Sequence, residues 1–427
     1  MNYKHTGTNI LLLLFILLEN LCLYCFHKQG ILGQGANAIL LFASSVSFGA
    51  VLLYRFYNVQ ISVETPAVTG RKVSTYVLLT LFAAGLIYIS SEYGALFVKS
   101  SDIYNGSDII SSIEIMCKRL VAGTNPYDII KRPGWDQHVG YLPFHWLPFT
   151  ISELMKGEYR WVPFVIWSIA ALWLCVRSMA TPDIALKILA PVLILGANYT
   201  LFTYNRGVIE ATVELMIAGY YMMLISGMNV RSGIVQGIVI SFCLLSRYSL
   251  VLWLPLYAFT MYVSGNRKQL YTSVATAAAI TLFIFVIPFL SHNWWILTGY
   301  KYYDGAAYFE WTHLNKLGYP LHLWSGTGYA YFFYSHFPHL EIPARIALLQ
   351  KTHLICSLAV TVVMGVWYWR YKDRIDHKPF LMGSFKIYLS VFLFLIQVPY
   401  EYLMCVGNFV TVAIFCEQAR YRLSRKL

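Results

Sequence analysis

The stretch YTSVATAAAITLFIFVIPFL, residues 271–290, runs for twenty residues without a single charge. About 20 largely apolar residues are what a helix needs to cross the hydrocarbon core of a bilayer. Nine other runs approach that length, at 10–26, 36–54, 75–91, 161–178, 184–203, 209–227, 232–246, 248–265 and 349–369. A last apolar stretch, 385–416, is interrupted by Pro399 and the polar group Tyr400-Glu401-Tyr402, and reads as two short helices forming a hairpin. The expected fold is therefore all-α: a polytopic membrane protein with about 11–12 transmembrane helices.

Composition excludes the soluble alternatives. Of 427 residues, 58% are hydrophobic and only 12% charged, where an ordinary soluble domain carries about 25% charged residues. The 33 Tyr, 26 Phe and 12 Trp match the aromatic load of membrane interfaces. The cysteines show no metal-knuckle spacing, and Cys22 and Cys25 sit within an apolar run with no histidine partner. No metal and no cofactor is expected.

Charge sets the orientation. With both ends of the chain in the cytoplasm and segments 92–160 and 291–348 outside, the cytoplasmic segments hold 18 Lys/Arg and five acids. Lys386 is counted among those cations. Everything else holds 14 Lys/Arg and 15 acids. The whole excess of positive charge falls on one side, as the positive-inside rule requires. It reports topology and anionic lipid, with no call for nucleic acid.

That orientation forbids a full span at 142–155, which holds Pro143, His145 and Pro148. It is read as an amphipathic or re-entrant segment in the outer interface. Just before it, residues 108–122 place Ile109, Ile110, Ile113, Met116, Cys117, Leu120 and Val121 on one helical face and polar residues on the other, stopped by Gly123. A long outer loop with two interfacial helices is where function is expected.

Asp102, Asp108 and Glu114 supply carboxylates there. Asp108 opens an interfacial helix, where it can act as general base on a hydroxyl or simply complement the helix dipole. The string Gly123-Thr124-Asn125-Pro126-Tyr127-Asp128 follows, and then Gly140-Tyr141-Leu142-Pro143.

This order of features, over roughly residues 75–265, resembles the membrane glycosyltransferases of the GT-C superfold. It is closest to their polyprenyl-phosphate-mannose-dependent and related bacterial branches. The resemblance implies a first extracytoplasmic loop with two membrane-parallel helices bearing the catalytic acid. Matched to this sequence, that acid is Asp108, with Asp102 competing. It further implies a polyprenyl-phosphate sugar donor, a glycan or lipid acceptor, and a multi-pass protein of a bacterial inner or plasma membrane. The division that follows is 1–74 (two leading helices), 75–265 (the GT-C-like module) and 266–427 (the remaining helices with the second outer loop). The chain departs from the pattern in lacking an adjacent acid pair and in carrying two extra leading spans.

Arg206 and Arg247 fall on the outer side between closely spaced helices. A charge at mid-membrane costs roughly 2.5–3.5 kcal/mol on insertion scales, and a lipid phosphate offers a charge-assisted partner. In the related enzymes a basic residue at a comparable place contacts the donor phosphate, which favours Arg247. Snorkelling, or pairing with Glu210 or Glu214, is the plainer alternative. The second outer loop interleaves many aromatics with His292, Lys301, Asp304, Glu310, His313 and His322, a mixture suited to sugar rings or to an interfacial belt. Lys301 and His313 are candidate donor or acceptor contacts, and Tyr127 and His145 candidate substrate contacts. Two other functions stay open: a polymerase or ligase of pyrophosphate-linked glycans, and a transporter or flippase, for which Glu19, Glu210 and Glu214 speak.

Overall fold

The computed structural model describes residues 3–26, 34–63, 72–100, 107–132, 135–181, 183–298, 300–316, 318–324 and 327–425. With no water in hydrocarbon, each backbone N–H and C=O must be satisfied within its own segment, and every expected apolar run is helical. In chain order the helices are α1 (Tyr3–Asn20), α2 (Gln34–Phe56), α3 (Lys72–Lys99), α4 (Asp108–Val121), α5 (Pro143–Trp146), α6 (Thr150–Met155) and α7 (Trp161–Ser178). Next come α8 (Ile184–Tyr204), α9 (Arg206–Ala211), α10 (Glu214–Met228), α11 (Gly233–Leu244), α12 (Leu254–Val263) and α13 (Arg267–Thr281). The last are α14 (Tyr300–Thr312), α15 (Leu321–Trp324), α16 (Ala330–His336), α17 (Ile342–Tyr371), α18 (His377–Phe394) and α19 (Glu401–Gln418).

Among the described residues, six helices are long and apolar enough to cross a membrane: Ala36–Phe56, Ser74–Lys99, Trp161–Ser178, Ile184–Tyr204, Arg267–Leu290 and Ile342–Tyr371. The chain is a helical membrane protein. At the other expected positions the helices are shorter or more polar. The run 209–227 is broken at Thr212-Val213 between α9 and α10, and the run 248–265 opens with a 3-10 turn, Tyr248–Leu250, before α12. The run 271–290 continues past α13 as a wider π-helical segment, Leu282–Leu290, around Pro288; proline and π-type turns are the usual means of breaking helical regularity.

The chain is mostly helical, consistent with the expected all-α membrane protein. Beside the helices, two small antiparallel ribbons are present among the described residues: β2 (Ile130–Arg132) with β3 (Trp135–Gln137), and β1 (Val59–Val63) with β4 (Tyr421–Arg425). The second ribbon ties the link after α2 to the last described residues.

Helices α10 and α19 are the axis of the bundle. Every residue of α10, and α19 from Met404 onward, is buried, as expected of helices that are apolar all round. Around them α7 packs on α10, α2 on α18, and α11 on α13. Gly233 and Gly237 bring α11 hard against α13: a Cβ at Gly233 would lie 2.6 Å from the Gln269 carbonyl oxygen, and one at Gly237 2.6 Å from that of Ser273. Small residues four apart are a recurrent device for close helix contact in membranes.

The two ends of the bundle differ. One end carries α4 to α6 and α14 to α16, and is called the loop end below. At the other, Glu417 of α19 is wholly buried and holds Arg177 Nε at 2.5 Å, Arg420 Nη1 at 3.0 Å and Asn229 Nδ2 at 2.8 Å. Lys386 lies at neither end. It is sealed inside, 2.9 Å from Glu19, with both side chains 1% exposed. Its place among the cytoplasmic cations is therefore corrected, and that side's excess falls by one charge.

Candidate functional site

The amphipathic run 108–122 folds as α4, capped by Ser107, whose hydroxyl accepts from the amides of Ile109 and Ile110 at 3.1 Å each. The Ser107 hydroxyl also donates to the Ala211 carbonyl, which fastens the start of α4 to the end of α9. Asp108 is exposed in the first turn. Its carbonyl accepts from Ser112 Oγ at 2.5 Å and from Arg132 Nη2 at 3.3 Å, while its carboxylate has no hydrogen bond among the described residues. Asp102 lies outside the described residues.

The Gly-Thr-Asn-Pro-Tyr-Asp string makes the turn out of α4. Gly123 takes a left-handed φ of 72°, a conformation that glycine adopts without penalty. Asn125 then closes an Asx turn, its Oδ1 accepting from Tyr127 N at 3.1 Å and its Nδ2 donating to Asp128 Oδ1 at 2.9 Å. Tyr127 is thereby driven into the core. Its hydroxyl donates to the Tyr141 carbonyl at 2.9 Å and accepts from Trp146 Nε1 at 3.0 Å. It works as a clamp between the turn and α5, and it does not line the cavity described next.

Segment 143–155 is a chain of short turns: α5, a 3-10 turn at Leu147–Phe149, and α6. Phe144 N donates to the Leu245 carbonyl at 2.8 Å, and Tyr220 Oη to the Phe144 carbonyl at 3.3 Å. These bonds pin α5 to the link between α11 and α12 and to α10. They bring His145 and Arg247 to one cavity of about 450 Å³, lined also by Tyr141, Gln350 and Gln397.

This cavity collects incompletely satisfied polar groups. Arg247 forms an ion pair through Nη2 with Glu214 of α10, a carboxylate 1% exposed, while the Arg247 side chain is 30% exposed. Arg247 Nε, Glu214 Oε2, His145 Nε2 and Gln397 Oε1 are all buried without a hydrogen-bond partner. Buried polar groups are normally paired; three of these atoms belong to residues of the cavity wall, with Glu214 behind Arg247, and that concentration suits a polar guest. Burial, followed by the positive charge of Arg247, holds the His145 imidazole well below its ordinary pKa, so the ring is neutral near pH 7. The ring stacks on Tyr141, with centroids 4.4 Å apart.

The turn between α18 and α19 ties this cavity to the second loop. Gln397 lines the cavity, and three residues on Tyr400 donates its hydroxyl to Glu310 Oε1 at 2.9 Å. Burial, then Glu310 and last Asp108 push the Tyr400 phenol above its usual range. His322 Nε2 stands 3.7 Å from the other Glu310 oxygen. Trp311 Nε1 donates to the Gln397 carbonyl at 2.9 Å, so the second loop is pinned to the same turn.

Other expected contacts lie elsewhere. Arg206 is exposed at the start of α9, its guanidinium 5.2 Å over the Phe202 ring. It does not line the cavity, although its neighbour Asn205 donates to Glu401 Oε2 at 2.8 Å. His313 is exposed just past α14 and stacks on Phe309, with centroids 4.9 Å apart. Lys301 belongs to α14, but its side chain lies outside the described residues.

Sequence reasoning missed Gln350, Gln397, Glu310 and Tyr400 as site residues. Only the polar interruption Tyr400-Glu401-Tyr402 in an apolar run marked the place. Compared with family models, curated proteins and solved structures, the chain matches none.

Proposed function

We propose that the chain is a membrane glycosyltransferase of the GT-C type, moving a sugar from a polyprenyl-phosphate donor to an acceptor hydroxyl on a glycan or lipid at the extracytoplasmic face. The observation that carries the reading is the cavity of about 450 Å³ at the loop end, with Arg247 and neutral His145 in its wall and unsatisfied polar atoms around it. A guanidinium beside a hollow is suited to a phosphate, which it can meet with two parallel N–H donors. Asp108 stands at the same end, and its carboxylate is unencumbered by hydrogen bonds among the described residues.

In this reading Asp108 takes the proton of the acceptor hydroxyl. The acceptor oxygen bonds to the anomeric carbon as the bond from that carbon to the phosphate oxygen breaks. The charge left on the phosphate is held by Arg247, the kind of fixed electrostatic stabilisation that dominates many enzymatic rate gains. One displacement inverts the anomeric configuration. Glu19, which spoke for a transporter, is engaged in a saturated polar network within the bundle.

The test is transfer of radiolabelled sugar in vesicles holding wild type, Asp108→Asn or Asp102→Asn. Monophosphate-linked and pyrophosphate-linked donors are offered in parallel. Expected is loss of transfer in Asp108→Asn by about 10²–10⁴-fold, activity with the monophosphate donor and an inverted product. Full activity in both variants removes the assigned base. A retained configuration removes the single displacement, and preference for the pyrophosphate donor favours the polymerase or ligase.

A further inference from the structure

Far from the loop end, the outer faces of α2, α17 and α18 enclose a groove of about 340 Å³. Its stem is apolar, formed by Ala50, Val363 and Ile387, and Tyr54, Tyr57 and Trp367 gather at its rim. Helices α2 and α17 are among those long and apolar enough to cross a membrane, and Val363 and Tyr54 are 63% and 73% exposed. What touches such a surface in a bilayer is lipid. The aromatic rim is the composition of the headgroup level, where rings with one wet and one apolar edge reside.

The rim has a cation. Arg374, just past α17, donates from Nη1 to Tyr57 Oη at 2.7 Å, and its guanidinium lies 5.8 Å from the centroids of both Tyr57 and Tyr371. The Arg374 carbonyl accepts from Asn58 N at 2.7 Å, so its backbone is fixed to the end of α2. Arg370 and Lys372 are exposed beside it. Two acids are near: exposed Asp373, and Asp376, which caps the Lys378 amide at 2.9 Å and lies 3.3 Å from His377. Three cations against two acids, one of them a helix cap, leave the rim electropositive.

We propose that this groove is a binding site for one anionic phospholipid, with an acyl chain along Ala50, Val363 and Ile387 and the phosphate at Arg374. Tyr57 and Tyr371 hold the guanidinium plane at the mouth, so little side-chain freedom remains to be lost when the headgroup arrives. An aliphatic groove alone accepts any acyl chain; the arginine adds the preference for negative charge, worth about fivefold per basic residue near a membrane surface. The site depends only on the helices lying in a membrane, and not on the glycosyltransferase reading.

The test uses the full chain in mild detergent, with bound lipid counted by native mass spectrometry. The probes are phosphatidylglycerol and phosphatidylcholine with identical chains, and glycerol phosphate as a competitor. Expected is selective retention of one phosphatidylglycerol, lowered about fivefold by Arg374→Gln. Val363→Trp, a change at an exposed position that fills the groove without disturbing the core, abolishes retention of that lipid. Ile355→Phe, on a lipid-facing part of α17 outside the groove, leaves it unchanged. Glycerol phosphate fails to displace the lipid, because the chain contributes to its hold. Equal retention of the two lipids, indifference to Val363→Trp, or displacement by glycerol phosphate alone overturns the proposal.

Discussion

Glu19–Lys386 and Glu214–Arg247, two of the ion pairs built on a buried carboxylate, are finished in opposite ways. Around Glu19 and Lys386 nothing is left over. Lys386 donates to Glu19 Oε1 at 2.9 Å, the Gly407 carbonyl at 3.1 Å and Ser45 Oγ at 3.2 Å. Ser45 and Thr411 donate to the two Glu19 oxygens at 2.6 and 2.7 Å. Asn20 and Asn408 exchange reciprocal bonds at 3.1 Å beside them. The adjoining cavity, about 20 Å³, has room for a water molecule at most. Around Glu214 and Arg247, by contrast, one atom of each partner is unmatched and a hollow more than twenty times larger adjoins. The first arrangement has spent its hydrogen-bonding capacity on the fold. The second keeps capacity for something else, and saturation, rather than burial or charge, separates the two.

The largest effect is expected at the saturated pair. Lys386→Met leaves a carboxylate uncompensated in the interior, and removing one partner of a buried pair destabilises by about 3–5 kcal/mol. Thermal unfolding in detergent should show this loss, and adding Glu19→Leu should recover most of it, because two apolar side chains can replace a buried pair. Equal melting of the single and double variants would mean that the network does not hold these helices.

At the unsaturated pair the expected loss is in activity. Arg247→Gln combined with Glu214→Gln removes both charges together, so melting stays near wild type. Sugar transfer should drop about 10²–10³-fold, the usual effect of deleting one group that stabilises developing negative charge. Undiminished transfer would assign this pair to structure, like the other.

A smaller effect is expected from His145. The unfolded chain takes up a proton on this residue near its ordinary pKa of about 6.5, whereas the folded ring resists it well below that value. Its contribution to stability is therefore full above pH ~6.5 and is lost as pH falls below it, until the folded ring titrates in turn. Melts from pH 8 to pH 5 should slope less in His145→Gln than in wild type; identical slopes assign the pH dependence to other groups.

The smallest change is expected for Arg206→Gln. An exposed cation over a ring contributes about 0.5–1 kcal/mol, and Arg206 lies outside the cavity wall. A drop in transfer as large as that at Arg247 would widen the site to include α9.

Much of the fold was legible because a bilayer leaves the chain few options: most apolar runs became helices, and the 3.6-residue period at 108–122 became α4. Arg247 was legible too, as a charge stranded between close helices. What the sequence withheld is partnership across long separations. Gln350 and Gln397 look like ordinary polar residues in or beside apolar helices until α5 is folded against them. Lys386 reads as a cytoplasmic cation because nothing near it in the chain names Glu19. Tyr127 sits in a motif with a functional resemblance, yet the Asx turn at Asn125 aims it inward. The β1–β4 ribbon escaped because each strand is short and its mate lies at the far end of the chain.

The closed network around Glu19 also imposes an order of assembly. Its carboxylate is made with α1, while Thr411, which completes its coordination, lies 392 residues further along. At a synthesis rate of about 5–20 residues per second, an acid must wait about 20–80 s at the insertion machinery before its counter-charge and last donor emerge. During that interval α1, with its unpaired acid, is a poor resident of hydrocarbon and a natural client for whatever shelters half-made membrane proteins.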